Sequence, residues 1–274
     1  MKNNYFLPYQ LRWLKDNSKI KIWEKSRRIG ATYVQSYEDV RDCIDKKVPA
    51  VWFSSADESA AKEYISYCEQ WVKLFHVAAK SLGEIILDSD KDIKALVIEF
   101  KNGTKIHALS SNPKGFRSKG GKIVLDEFAF HNNPEELWKA ARPCITWGYP
   151  LRILSTHNGQ NCLYYRFIDQ VNNGELSWSL HKTPIQLAVS EGLVDKIYQR
   201  KTTAKEREEW LNNEKIDPGR MYAFTKMLPL INKIKEYEDS VLEKESTKTE
   251  NKGLTPEVIK LIEEEILGVK YNEE

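Results

Sequence analysis

Two short stretches of this chain carry residue types suited to handling a polyphosphate. The first is Lys25-Ser26-Arg27-Arg28-Ile29-Gly30-Ala31-Thr32. A phosphate loop needs backbone N–H groups curled around anionic oxygens, a cation for the terminal phosphates and a hydroxyl for magnesium. Gly30 and Thr32 sit where the G-x-x-x-x-G-K-[ST] pattern has its last glycine and its Ser/Thr, but Ala31 replaces the lysine and Lys25 the first glycine. By itself the segment also reads as a basic turn with one glycine. The second stretch is Lys122-Ile123-Val124-Leu125-Asp126-Glu127. An apolar run ending in two acids is the Walker B pattern, with Asp126 ordering magnesium and Glu127 orienting and deprotonating a water. Its plainer reading is an acidic pair opening a surface turn. A third run, residues 151–154, ends in Ser155-Thr156-His157. Hydroxyls there can touch a terminal phosphate or a catalytic water, or simply cap a strand.

The flanking patterns say what must position these residues. Residues 7–16 have helical spacing, and 19–23 (KIKIW) alternate as a strand does. A turn over 24–30 leads into a helix over 31–45. Residues 50–54 form an apolar strand, and Asp57 caps a long helix running to about residue 79. Strands at 95–100 and 105–109 flank Lys101-Asn102-Gly103-Thr104, a hairpin signal. A polar, basic loop (110–121) precedes the strand at 122–125. A helix over 134–141 and a strand over 151–154 follow. This alternation predicts an α/β fold, a mostly parallel sheet with helices on both faces and ligands at the carboxyl ends of the strands. Beyond residue 160 the pattern predicts a helix at 163–171, a strand at 176–181 and a mainly helical region over 185–245. Residues 244–252 (KESTKTENK) read as a linker, and 255–267 as a terminal amphipathic helix capped by Thr255. The division expected is a core over 1–160, a lid or linker region over 161–245, and a linker with an acidic helix over 246–274.

Composition excludes several classes. The chain has 274 residues, 42 basic against 40 acidic, and no apolar run near the ~18 residues of a membrane span. The N-terminus lacks the apolar core of a signal peptide. Cys43, Cys68, Cys144 and Cys162 are scattered, which argues against a disulfide framework or structural zinc and for a reducing cytoplasm. His76, His107, His131 and His181 lack metal-ligand spacing, and Trp52 and Trp71 read as core. The near-neutral total hides an asymmetry. Residues 1–36 hold eight basic and two acidic residues, whereas 231–274 hold seven lysines and twelve acids. A basic head suggests an anionic ligand, and an acidic tail a solvated extension. So small a net charge argues against tight non-specific DNA binding by one subunit.

In order, Leu7-Pro8-Tyr9-Gln10, the Lys25–Thr32 segment, Trp52-Phe53-Ser54-Ser55, Ile123-Val124-Leu125-Asp126-Glu127-Phe128-Ala129-Phe130 and Ile153-Leu154-Ser155-Thr156 resemble the ATPase half of a tailed-phage terminase large subunit, closest in feel to the Mu-like group. The resemblance spans about residues 5–170. It implies a P-loop NTPase fold of the RecA/ASCE-like kind that binds ATP with Mg2+ and drives double-stranded DNA into a capsid. The partners it implies are a portal protein and a small terminase subunit, in a homo-oligomeric ring in the host cell cytoplasm, with no membrane. It further implies that Gln10 reads the adenine edge while Tyr9 stacks on the base. Lys25 is implied as the working lysine, shifted to the start of the loop as in some relatives, with Arg27 or Arg28 sharing the phosphates. Thr32 and Asp126 match the magnesium-holding pair, Glu127 the catalytic acid, and Ser155 and Thr156 the coupling motif. Arg117, in the basic loop Lys114–Lys119, matches a trans-acting arginine finger. That loop also reads as solvated, or as touching DNA phosphate.

Full-length relatives carry a nuclease domain, for which this chain ends too early. Asp195, Asp217 and Asp239 lie in helical or loop contexts, so no nuclease site is expected. Two other readings fit the same residues. One is a helicase-like, DNA-stimulated ATPase, and the other a non-hydrolysing remnant that binds DNA or partner proteins, motivated by Ala31.

Overall fold

Alternating and continuous apolar runs become eight strands of one sheet in the computed structural model, which describes residues 5–75, 79–88, 93–109, 116 and 119–216. The strands are β1 (Ile20–Lys25), β2 (Ala50–Ser54), β3 (Ala79–Asp88), β4 (Ile93–Phe100), β5 (Lys105–Leu109), β6 (Lys122–Asp126), β7 (Leu151–Ser155) and β8 (Ser179–Thr183). Their order is β3-β4-β5-β2-β6-β7-β1-β8. Only β4 runs against the others, through antiparallel pairings with β3 and β5. The central pairings are parallel, with β7 inserted between β6 and β1. Both β6 and β7 are buried along their whole length, which suits strands covered on both faces.

The alternation along each strand sorts side chains to two faces. One face carries Lys21, Trp23 and Lys25 of β1, Phe53 of β2, Lys122 and Asp126 of β6, and Arg152 of β7. It is covered by α1 (Pro8–Lys15), α2 (Ala31–Ile44) and α3 (Glu58–Leu74). Trp23 stacks on Trp13 of α1 at 4.7 Å between ring centres, and Phe53 on Tyr64 of α3 at 3.7 Å. The opposite face presents Ile22, Ile123, Leu125 and Ile153. These pack with Leu137 of α4 (Pro134–Ala141) and with Leu163 and Phe167 of α5 (Leu163–Asn172) in one buried cluster.

Two boundaries differ from the sequence reading. Asp57 does cap α3, accepting from the Ala60 N–H at 2.8 Å, but the helix ends at Leu74 and β3 begins at Ala79. β3 is an edge strand paired only with β4, and none of its residues 79–85 is fully buried, so it lacks the apolar signature of a covered strand. The strand expected at 176–181 forms instead at Ser179–Thr183, in parallel register with β1. Pro8–Pro184 form one compact unit; residues 5–7 and 185–216 belong to a second. The described part of the second holds α6 (Ile185–Ser190), α7 (Leu193–Tyr198) and α8 (Ala204–Ile216). The expected linker and terminal helix lie outside the described residues. No described helix is long and apolar enough to cross a membrane.

Candidate functional site

The site grows from the carboxyl end of β1. Lys25 closes the strand, and the chain then turns through residues 26–30 into α2. Gly30 adopts φ 74°, ψ 24°, the left-handed conformation that glycine takes without strain, and stands at the N-cap of α2. Arg28 adopts φ 58° as well. The Ser26 N–H donates to the Thr183 carbonyl of β8 at 3.0 Å. Ile29 is buried, and its carbonyl accepts two bonds from α1, from the Tyr9 hydroxyl at 2.8 Å and from Gln10 Nε2 at 3.0 Å. Ala31 is the first residue of α2 and is buried. Arg27 and Arg28 are exposed, with the Arg27 guanidinium 5.9 Å from the centre of the Phe130 ring.

The end of β6 meets this loop. Thr32 Oγ1 donates to Asp126 Oδ2 at 2.8 Å, and the Glu127 N–H donates to Asp126 Oδ1 at 3.0 Å. Lys25 Nζ donates to Glu127 Oε1 at 2.6 Å. Glu127 has φ 47°, a conformation uncommon outside glycine, and turns the chain into a single 3-10 turn, Phe128–Phe130. Burial pushes the Asp126 carboxyl up to about 6; Lys25 opposes that rise and Glu127 adds to it. A hydroxyl and a carboxylate are hard oxygen donors of the kind magnesium takes. They sit at a helix N-terminus, whose free N–H groups favour anions, with an ammonium alongside. The residues present therefore fit a magnesium–polyphosphate pair.

The end of β7 completes the edge between β6 and β1. Ser155 Oγ accepts from the Ala129 N–H at 3.1 Å and donates to the Thr156 carbonyl at 2.8 Å. The Thr156 hydroxyl is buried and has no hydrogen-bond partner among the described residues. His157 Nε2 lies 2.9 Å from Oε1 of Glu24, the residue before Lys25.

One expectation is corrected. Tyr9 does not present its ring to a base: it is 1% exposed, edge-on to Trp23 at 6.4 Å, with its hydroxyl spent on Ile29. The reason is helical spacing, which puts Tyr9 on the face of α1 that packs on the sheet. Arg117 lies outside the described residues.

The sequence reading missed a buried ionic cluster at the other end of α2. Lys21, Lys122 and Arg152 point from β1, β6 and β7 at Glu38, Asp39 and Asp42. Glu38 takes Lys21 Nζ at 2.8 Å and Arg152 Nε at 3.0 Å. Lys122 Nζ lies 2.8 Å from Asp39 and 2.5 Å from Asp42. Burial pushes Glu38 up, but Arg152, Lys122 and Lys21 outweigh it and hold the carboxyl well below its usual range. The signal was in the spacing. Each cation precedes a site residue by four positions (Lys21 and Lys25, Lys122 and Asp126, Arg152 and Thr156), which in a strand is the same face.

A parallel sheet whose loop-bearing strand and acid-bearing strand flank a third, with a helix springing from the loop, defines a P-loop nucleoside triphosphatase core. Solved structures agree on the fold. The large terminase of a thermophilic bacteriophage, in complex with ADP, matches with TM-score 0.54 at 17% identity, over 75% of this chain and 49% of that one. A Thermus phage large terminase ATPase domain matches at 0.51 and 15% identity, over 76% and 87%. A model of the family described as "Terminase large subunit, T4likevirus-type, N-terminal" matches residues 22–227, and the chain belongs to that family. The Mu-like prophage FluMu protein gp28 of Haemophilus influenzae is 39% identical over 201 residues, 72% of this chain and 40% of its own length. The probable terminase large subunit gp28 of Escherichia phage Mu is 38% identical over 200 residues, 70% of this chain and 36% of its own. The chain thus spans less than half the length of either relative.

Proposed function

We propose that this chain is the ATP-hydrolysing part of a viral DNA-packaging motor. The observation that carries the reading is the pair of contacts at one sheet edge, Thr32 with Asp126 and Lys25 with Glu127, in a chain of the terminase large subunit family. That a related large terminase was solved with ADP supports a nucleotide as ligand.

In this mechanism Lys25 reaches the phosphates together with the N–H groups at the start of α2, and Arg27 and Arg28 add positive charge from the exposed side of the loop. Thr32 and Asp126 would hold Mg2+, which would supply neutralisation of the phosphate charge and polarisation of the bond to be broken. Glu127 accepts the proton of the attacking water once the phosphates draw Lys25 away from it. Tyr9 and Gln10 fix the loop through Ile29, and Gln10 stays the candidate for the adenine edge. Ser155, bonded to the segment that follows Glu127, and Thr156 respond to the loss of the terminal phosphate and pass the change to the rest of the motor. Arg117 serves a neighbouring subunit as its finger. Double-stranded DNA, a portal protein, a small terminase subunit and further copies of the chain in a ring are the partners proposed, in the host cytoplasm.

The test is ATP turnover with DNA present. Glu127→Ala and Lys25→Ala should each abolish most of it. If both variants hydrolyse ATP at the wild-type rate, the assignment is wrong.

A further inference from the structure

Ser55, the last residue of the Trp52–Ser55 stretch, is a second hydroxyl at the sheet edge that carries Asp126, and it has so far been given no role. It follows β2, one step past the pairing of Ser54 with Leu125, and so falls level with Asp126. By alternation from Phe53 it lies on the face covered by α2 and α3, the face that also carries Lys122 and Asp126. Ser55 is fully buried, and its Oγ has no hydrogen-bond partner among the described residues. A buried hydroxyl left unpaired is destabilising and calls for an explanation. The two Asp126 oxygens, by contrast, are each engaged, by Thr32 and by the Glu127 N–H.

We propose that Ser55 is a positioning residue of the magnesium site, its hydroxyl holding a water in the shell of the ion that Thr32 and Asp126 bind. This rests on the reading of the site given above. Magnesium surrenders its waters reluctantly and is bound by few protein ligands, so several waters stay on it. Each such water needs an acceptor or donor beyond the metal, and groups in that outer position typically contribute 10–100-fold to metal affinity. A serine hydroxyl serves as either donor or acceptor.

The experiment follows thermal unfolding of the full chain, wild type and Ser55→Ala, over a magnesium series at fixed ADP. Without ligand the variant should melt higher, by roughly 2–4 °C, because an unsatisfied buried group has gone. The magnesium concentration for half of the ADP-dependent stabilisation should rise about tenfold or more. An unchanged magnesium midpoint overturns the proposal, whatever the melting temperature. A lower melting temperature without ligand also overturns it, since the hydroxyl would then be bonded within the protein. A wild-type chain with no magnesium-dependent response to ADP overturns the nucleotide site itself, and this assignment with it.

Discussion

Lys25 Nζ rests 2.6 Å from Glu127 Oε1, so the cation at the start of the loop and the acid beyond β6 occupy each other. While it holds the ammonium, that carboxylate oxygen is occupied and is not turned to a water. Phosphate oxygens compete for the same ammonium, and their arrival frees the carboxylate.

Glu127→Gln should therefore leave ADP affinity at or above the wild-type level while turnover falls on the order of 10²–10⁴-fold. Lys25→Ala should instead weaken ADP binding by roughly ten- to a hundredfold, the worth of a hydrogen bond to a charged group. Calorimetric ADP titration and phosphate release separate the two. Loss of ADP binding in the glutamine variant would contradict the exchange of partners.

Asp126 gives a pH dependence with two opposite signs. Its carboxyl is raised by burial to about 6 from an ordinary 3.8, so the folded chain binds this proton more tightly than the unfolded chain does. The resulting stability is fully present below about pH 4 and is lost as pH rises through about 6. Magnesium needs the carboxylate, so stabilisation by magnesium and nucleotide should fade as pH falls through about 6. Asp126→Asn should remove both trends. Urea unfolding across this window, with and without magnesium–ADP, reads them out.

Removing Glu38 takes the paired carboxylate from two buried cations, Lys21 and Arg152, leaving them only backbone carbonyls, and takes one partner from Lys122. Glu38→Ala should cost about 3–5 kcal/mol in urea unfolding, as breaking buried pairs does. Lys47 is largely exposed and bridges Asp45 at 3.2 Å at the far end of α2. Lys47→Ala should cost less than about 1 kcal/mol. Equal effects would mean the cluster is no stronger than a surface pair.

Tyr9→Phe removes one of two bonds to the Ile29 carbonyl and should cost about 1 kcal/mol. Adding Gln10→Leu leaves that buried carbonyl without either bond and should cost more than the sum of the single changes, because one remaining donor partly satisfies it. ADP affinity should fall in step with stability if the pair steadies the loop. Strict additivity would argue that the two bonds are independent.

The site was legible where chemistry and position coincide. As candidates, Lys25, Asp126 and Glu127 end or follow strands, so residue type and strand end marked them together, and Thr32 was marked by its place two residues after Gly30. The packing of Tyr9 was not legible because a phenol beside a glutamine suits stacking as well as packing, and only the burial of its ring against Trp23 separates the two. β3 was missed because none of its residues 79–85 is buried, so no apolar face marks it. The cluster around Glu38 was hidden because lysine in a strand ordinarily signals a solvent-facing position. In KIKIW the two lysines take opposite fates, Lys19 exposed and Lys21 fully buried. Their partners lie on α2, which local patterning along β1 does not reach.

α2 is fastened to β6 at two points, through Thr32 near its start and through Asp39 and Asp42 towards its end, and Glu38 ties it to β1 and β7 as well. Amides of α2, β1, β6 and β7 should consequently exchange with deuterium only through whole-unit opening, as one cooperative block. Such a block cannot admit a ligand by partial melting. Whatever the nucleotide rearranges must be borne by the turn at 26–30 and by side chains such as Lys25, while the frame beneath moves as one piece.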